Sequence, residues 1–565
     1  MFPTSRASSR SNYRESNSKK SFEFAARSDR KLECLIVVVA SLMFLPGLGA
    51  TGILNTTDAY YTEAAREMLL RGDFITPYLN YTPYYFKPIL TYWLIIASYL
   101  VLGVNTFAAR LPSALSCIAT ALAIFSLTKE FIGRRAALMA ALALVSMPLV
   151  SVVGHVSIPD TPLLLLITVS SLLLLGALIR GDKKGLIPAY ICLGLAMLSK
   201  GPLAVAFVGA CIGGFLIASS KSLNHFKERL LSLRPFLAVA VPLMVALPWF
   251  AAVHFVSNGA FTQFFFIQQN FGRLSGQFQS HNNPPWFYLP YLAGGFLPWL
   301  PMLLSAPVVL RPRPEKRFSE SPRVQITIAS LCWLFGTSAL LLVSSSKVAH
   351  YLLPIAPPIA ILTGLYFDAV LKLGRRRFVL WVAPTMVLAG IVSLFVFPRL
   401  FEDERQLQMI ASVFVTLLIV GYTAYGAFIY KSQMRLGVAL LFAWSLLDCG
   451  LLVPVSIQQT YRRANEEFVS LVKQASRVDN SVIGVRANDC ATAAFYAGEK
   501  IYEIEGPMDC KKFVDSTQGP RYFILDDQAN ALLMPFIPGA PRVISTDGKW
   551  NLLLVESTQN SSPAK

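Results

Sequence analysis

The chain has 565 residues, 54% of them hydrophobic, and a formal net charge of +18. Apolar runs of about 18 or more residues recur along it, which excludes an ordinary soluble domain and indicates a polytopic α-helical membrane protein. The basic residues fall mostly in short loops between those runs, so membrane topology accounts for the charge and nucleic acid is set aside as a partner.

Residues 1–33 are rich in Ser, Arg and Lys and poor in aliphatic residues, the composition of a disordered basic tail. The tail is too long and polar for the n-region of a signal peptide, so the first apolar run, Leu35 to Leu54, reads as a retained anchor with its basic side in the cytoplasm. The interval 55–88 follows as the first outer loop. It carries Asp58, Tyr61, Glu63, Arg66 and the pair Lys87-Pro88.

Apolar blocks then recur at 89–103, 108–128, 136–153, 160–180, 186–198, 203–219, 235–255, 286–310, 324–343, 352–371, 378–397, 408–430 and 436–457. Basic clusters occur at every second loop: Lys129/Arg134/Arg135, Arg180/Lys183/Lys184, Lys221 to Arg234, Arg311 to Arg317, Lys372 to Arg377, and Lys431/Arg435. All can lie in the cytoplasm together if one early block does not span. The block 89–103 is short for a span and suits an interfacial or re-entrant helix, which leaves about 13 transmembrane helices over residues 34–457. Residues 186–219 form a hairpin with Ser199-Lys200-Gly201-Pro202 at its outer turn. The C-terminus is then outside.

Beyond residue 457 hydrophobicity drops. Asn465 to Ala475 has helical spacing, and Ser481–Arg486, Lys500–Ile504, Arg521–Leu525 and Trp550–Val555 read as short strands. Residues 458–565 are therefore a small mixed α/β domain on the outer face. Of the eight cysteines, six lie in or beside apolar runs as small packed residues. Cys490 and Cys510 are the two in the outer domain, and a disulfide between them is expected. It would close a loop of about twenty residues and stabilise by ~3 kcal/mol. Two separate buried thiols are the other reading, since spacing does not show that their Cα atoms meet.

Five cations lie on the side that the positive-inside rule disfavours: Arg66, Lys87, Lys200, Arg273 and Lys347. Each taken singly is also consistent with a side chain snorkelling to the interface. Together they suit a phosphate headgroup, because Lys and Arg bind phosphoryl oxygens through charge-assisted hydrogen bonds. Among the acids, Asp58 follows the first span and Asp160 opens the 160–180 run. Either is placed to take a proton from an acceptor hydroxyl, and either is also a good helix N-cap. His281 lies in an aromatic, Pro-rich stretch, and no metal-ligand spacing surrounds it.

The ordered set Tyr61-x-Glu63-Ala64-Ala65-Arg66-Glu67-Met68, Gly72-Asp73-Phe74-Ile75-Thr76-Pro77, Tyr85-Phe86-Lys87-Pro88, Ala109-Arg110-Leu111-Pro112-Ser113, Asp160, Ser199-Lys200-Gly201, Asn270-Phe271-Gly272-Arg273, Pro285-Trp286-Phe287-Tyr288-Leu289-Pro290, Pro298-Trp299, and Ser346-Lys347 with Tyr351-Leu352-Leu353-Pro354 resembles the membrane glycosyltransferases of the GT-C fold. It is most similar to bacterial lipid A 4-amino-4-deoxy-L-arabinose transferases and their protein O-mannosyltransferase-like relatives. The resemblance implies an inverting transferase of the bacterial inner membrane. A polyprenyl (undecaprenyl) phosphate would carry the donor sugar, and lipid A or a related envelope glycolipid would accept it on the periplasmic face. Arg66, Lys87, Arg273, Lys347 and Tyr351 would then bind the donor phosphate. Asp58 and Asp160 would be catalytic, with Tyr61, Glu63, Lys200 and His281 as further site residues.

Two departures bear on this. The family's adjacent acids before Tyr-x-Glu are here Thr57-Asp58, and its Glu before Lys-Pro is here Phe86. In the aminoarabinose transferases that Glu and the histidine matching His281 are implicated in metal binding, so no cofactor is expected. A protein acceptor is the alternative within the enzyme class. A transporter or flippase is the alternative outside it, but neither repeat symmetry nor interrupted midplane helices are visible.

Overall fold

The structure is a computed structural model that describes residues 28–53, 57–272, 283–302, 321–344, 346–373, 433–461, 466–539 and 541–555. The apolar runs fold as helices because only a helix satisfies every backbone polar group within one segment in lipid. The first helix, α1, covers residues 28–44 rather than 35–54. It stops before Pro46, which has no N–H to give and biases the preceding residue out of the helical region. Its early start brings Asp29 and Glu33 to Lys129 at 3.2 and 3.1 Å.

The first outer loop contains α2 (Thr57–Arg71) and a two-stranded hairpin, β1 (Tyr78–Leu79) with β2 (Thr82–Pro83). The block 89–103 becomes α3 (Leu90–Leu102), about 20 Å long and short of the ~30 Å apolar core of a bilayer. Next come α4 (Thr106–Ile132), α5 (Arg134–Val145), α6 (Pro148–Gly154) and α7 (Asp160–Arg180). The block 136–153, expected as one helix, is broken: α5 and α6 meet at 61° where Pro148 begins a new helix. The expected hairpin is present as α8 (Leu186–Lys200) and α9 (Leu203–Ser219), followed by α10 (Leu223–Ser232) and α11 (Pro235–Val256). Further on lie α12 (Pro322–Val343), α13 (Ala356–Leu373) and α14 (Met434–Tyr461).

Among the described residues, five helices are long and apolar enough to cross a membrane, or up to six if the bent α5–α6 pair is one span. The blocks 378–397 and 408–430 lie outside the described residues. The bundle core holds the fully buried side chains of Trp299, Trp333, Tyr92 and Tyr366, and with them the charged side chain of Arg110. Apolar side chains turned outward, such as Phe236, Val101 and Phe335, have no protein cover and suit a lipid environment.

The C-terminal segment is a mixed five-stranded sheet of order β4-β3-β5-β7-β6. Its strands are β3 (Val482–Val485), β4 (Tyr502–Glu503), β5 (Arg521–Asp526), β6 (Arg542–Asp547) and β7 (Trp550–Val555), with α15 (Glu467–Ala475), α16 (Ala487–Ala497), α17 (Pro507–Ser516) and α18 (Asp527–Leu533) around it. β3 pairs parallel with β4 and β5, and β7 antiparallel with β5 and β6. β6 was missed in the sequence, although Asp547-Gly548 before the apolar run of β7 is a hairpin signal.

The expected Cys490–Cys510 disulfide is corrected by this sheet. Both thiols are free and buried. Successive side chains of a strand point to opposite faces, so Tyr522 and Ile524 enter one core layer and Phe523 and Leu525 the other. Cys490 on α16 belongs to the first layer and Cys510 on α17 to the second. The sheet stands between them.

Candidate active site

Asp58 lies in the first turn of α2 and is 1% exposed. Its Oδ2 accepts from Arg110 Nη2 at 2.7 Å and Nε at 3.2 Å, and its Oδ1 accepts from the backbone N–H of Ser157 at 2.8 Å. Arg110, in the second turn of α4, also donates to the carbonyls of Leu48, Thr51 and Gly52 at 2.9, 3.1 and 2.6 Å. One guanidinium thus collects the chain leaving α1 and the carboxylate that starts α2. Through Ser157, Asp58 also fixes the segment Ser157-Ile158-Pro159 that delivers Asp160.

Asp160 is 3% exposed at the start of α7. Lys200, the last residue of α8, places Nζ 2.5 Å from its Oδ1, and His350 Nε2 lies 3.9 Å from Oδ2. Ser199 Oγ ties the same helix end to the Pro159 carbonyl at 2.8 Å. The turn after Lys200 needs Gly201: its φ is +69°, and a Cβ there would meet Phe265 at 2.7 Å. Lys200 Nζ also lies 4.2 Å from the centre of the Tyr351 ring, a cation–π distance. Lys87 is near enough to act on Asp160 through its charge, and Asp160 and Tyr351 both act on Tyr61 in the same way. Asp160 thus sits beside Lys200 and His350, Tyr351 lies against Lys200, and Lys87 and Tyr61 are within electrostatic reach of the group.

Lys347 is 4% exposed, and its Nζ donates to the Ser344 carbonyl at 2.6 Å, three residues before the His350-Tyr351 pair. Arg66 is elsewhere. It makes a bidentate bridge to Glu63, both contacts 2.7 Å, and reaches the Ala494 carbonyl on α16 at 3.5 Å. Burial pushes the Glu63 carboxyl up to about 7 against the pull of that guanidinium. Arg66 and Glu63 thus belong to the contact with the C-terminal sheet domain, not to the group around Asp160. Arg273 and His281 lie outside the described residues.

Two residues escaped the sequence reading. Arg110 lay inside a quoted motif, but its helical position in an apolar run was a signal in itself, since an intramembrane arginine needs partners. His350 lay between the selected Lys347 and Tyr351. Phe86 offers a metal no ligand: it stacks on Tyr84 at 4.7 Å and meets Phe264 edge-on at 4.9 Å. Among the described residues, no group of three His, Cys, Asp or Glu side chains is placed to hold a metal ion.

Comparison with known proteins bears on this geometry. The undecaprenyl phosphate-α-4-amino-4-deoxy-L-arabinose arabinosyl transferase of Pectobacterium carotovorum is 30% identical to this chain over 440 residues, 75% of each. The chain belongs to this arabinosyl transferase family. The Pseudomonas aeruginosa enzyme of the same family is 28% identical over 429 residues, 74% of this chain and 75% of its own. The family model for dolichyl-phosphate-mannose-protein mannosyltransferases matches residues 86–250, which run from Phe86 through Asp160 and Lys200. Among solved structures, ArnT from Cupriavidus metallidurans bound to undecaprenyl phosphate superposes with a TM-score of 0.74 at 20% identity, covering 93% of this chain and 98% of that one. The arabinosyl transferase fold is therefore common to both. The archaeal oligosaccharyltransferase AglB from Archaeoglobus fulgidus shares it more distantly, with a TM-score of 0.52.

Proposed function

We propose that the chain is an inverting membrane glycosyltransferase that moves a sugar from a polyprenyl (undecaprenyl) phosphate to lipid A or a related envelope glycolipid. The observation that carries this reading is the cluster of Lys87, Lys200 and His350 around the single carboxylate of Asp160, in a chain whose family relatives are undecaprenyl-phosphate sugar transferases. Lys200 and His350 lie 2.5 and 3.9 Å from the Asp160 carboxylate and Lys87 acts on it through its charge, a basic setting that suits the phosphate of a departing polyprenyl carrier. As the glycosidic bond to the donor phosphate breaks, negative charge grows on its oxygen, and preorganised cations stabilise it at no reorganisation cost. Lys347, Arg273 and the Tyr351 hydroxyl are further donor-phosphate ligands in this reading. Asp160 holds the acceptor hydroxyl and receives its proton, and Asp58 positions Asp160 through the Ser157 backbone. Arg66 is reassigned from the donor to the docking of the C-terminal domain.

The topology proposed has about thirteen spans, the tail 1–33 in the cytoplasm and residues 458–565 in the periplasm. It is supported by the way the structure sorts the cations. Lys129, Arg134, Arg135, Arg180 and Lys372 gather with Asp29, Glu130 and Asp368 at one set of helix ends. Lys87, Lys200 and Asp160 gather at another. Lipid A mass spectrometry of a deletion strain tests the function. Loss of a glycosyl increment on lipid A supports it. Unchanged lipid A with loss of glycan from envelope proteins would instead favour the protein acceptor that the mannosyltransferase match over residues 86–250 suggests.

A further inference from the structure

Away from the Asp160 cluster, a cavity of about 370 Å³ opens at the far end of the bundle, lined by Ile132, Gly133, Arg134, Arg135, Asp368 and Lys372. Its construction begins with Gly364 on α13, where a Cβ would lie 2.2 Å from the Ala136 carbonyl of α5. Only a glycine lets the two backbones come this close. One turn later, Asp368 is thereby brought beside the start of α5.

Asp368 is 1% exposed, and three cations crowd it. Arg135 reaches Oδ1 through Nε and Nη2, both 2.9 Å away. Oδ2 is shared by Arg323 at 2.6 Å and Lys372 at 2.8 Å. Arg134, held by Asp29, completes the rim. The one carboxylate inside the cavity faces more positive charge than it can balance, while the Arg135 and Lys372 side chains remain 42% and 56% exposed on the open side. Positive-inside placement asks only that a basic side chain reach water. It does not explain why helices from three parts of the chain turn their cations toward one recess with a single buried acid. Basic recesses between transmembrane helices on the cytoplasmic side are the form that phospholipid headgroup sites take.

We propose that this cavity binds a phosphoryl group, carried by an anionic phospholipid of the adjoining leaflet or by a soluble phosphate, with Arg134, Arg135 and Lys372 as its ligands. Asp368 acts as a fixed counter-charge that spaces Arg135, Arg323 and Lys372 and competes with the ligand. The site lies outside the transfer chemistry, so it stands or falls apart from the function proposed above.

The test uses the full-length protein in phosphatidylcholine nanodiscs. Thermal stability is read after adding phosphatidylglycerol, more phosphatidylcholine, or inorganic phosphate. Phosphatidylglycerol is expected to raise the melting temperature and phosphatidylcholine to leave it unchanged. Inorganic phosphate matching the full shift assigns the ligand to solution, and no shift with phosphate assigns it to the lipid. Removing two charge-assisted contacts in Arg135→Gln/Lys372→Gln should weaken binding by about tenfold or more. Asp368→Asn should melt lower without ligand, because it removes a buried counter-charge, yet show a larger rise on adding phosphatidylglycerol than wild type, which keeps the test decisive if the double variant does not insert. An equal shift in wild type and both variants, or no shift with any anion, overturns the proposal.

Discussion

Asp58 and Asp160 look alike in the sequence, each a carboxylate just past an apolar run, yet their surroundings differ. Asp58 spends both oxygens on Arg110 and the Ser157 amide, whereas Asp160 faces two ammonium groups and an imidazole. Asp58→Asn leaves a buried guanidinium without its counter-charge, and breaking a buried pair on one side costs about 3–5 kcal/mol. The variant is expected to melt well below wild type, and a wild-type melting curve with lost turnover would instead make Asp58 a group that acts on substrate. Lys87→Ala should keep the fold and lose transfer by ~10² or more, the scale of a lost charge stabiliser, while Lys200→Met should lose transfer and also melt lower, because it strands the buried Asp160 carboxylate. Full activity in either removes that residue from the site. With Phe86 in an aromatic stack, EDTA should leave activity intact, and metal-reversible inhibition would contradict this.

At the scale of elements, the contact between the chain around α2, from Ile53 to Asn80, and the C-terminal domain was not legible in the sequence. Asn80 exchanges two hydrogen bonds with the backbone of Ile501, 2.8 and 2.9 Å, Tyr496 Oη accepts from Ile53 N–H at 2.8 Å, and Arg66 reaches Ala494. These partners are more than 400 residues apart in the chain, and no local pattern announces them. The hydrophobic period did show the helices and most strands, because burial imposes it. It did not show where Pro46 and Pro148 would end helices early, nor that the sheet would part the two cysteines. Glu63 gives this contact a pH dependence. Its folded carboxyl is raised from 4.5 to about 7, so the folded state takes up a proton that the unfolded state releases. Stability therefore falls as pH rises between those values, by no more than ~3 kcal/mol, and levels off above. Melting curves from pH 4.5 to 8 should show that slope in wild type and lack it in Glu63→Gln. The same slope in both would clear Glu63.

For the whole molecule, topology depends on which basic clusters share a side. The sequence put Lys129/Arg134/Arg135, Arg180/Lys183/Lys184 and Lys372 to Arg377 together by loop parity alone. The structure brings Arg135, Lys372 and Arg323 onto one carboxylate, and ties Arg180 to Glu130 at 3.0 Å beside Lys129. Loops in direct contact at helix ends cannot lie on opposite sides of a bilayer, so parity is fixed for these clusters whatever the span count between them. Short basic loops stay in the cytoplasm. The Asp160 cluster lies at the opposite end of α7 from Arg180, and α7 is long enough to cross. Alkaline phosphatase fused after residue 458 should therefore be active, and the same enzyme fused at Lys183 inactive. Activity at Lys183 would place the basic ends outside, invert the thirteen-span topology, and set the Asp160 cluster on the side where no periplasmic acceptor could reach it.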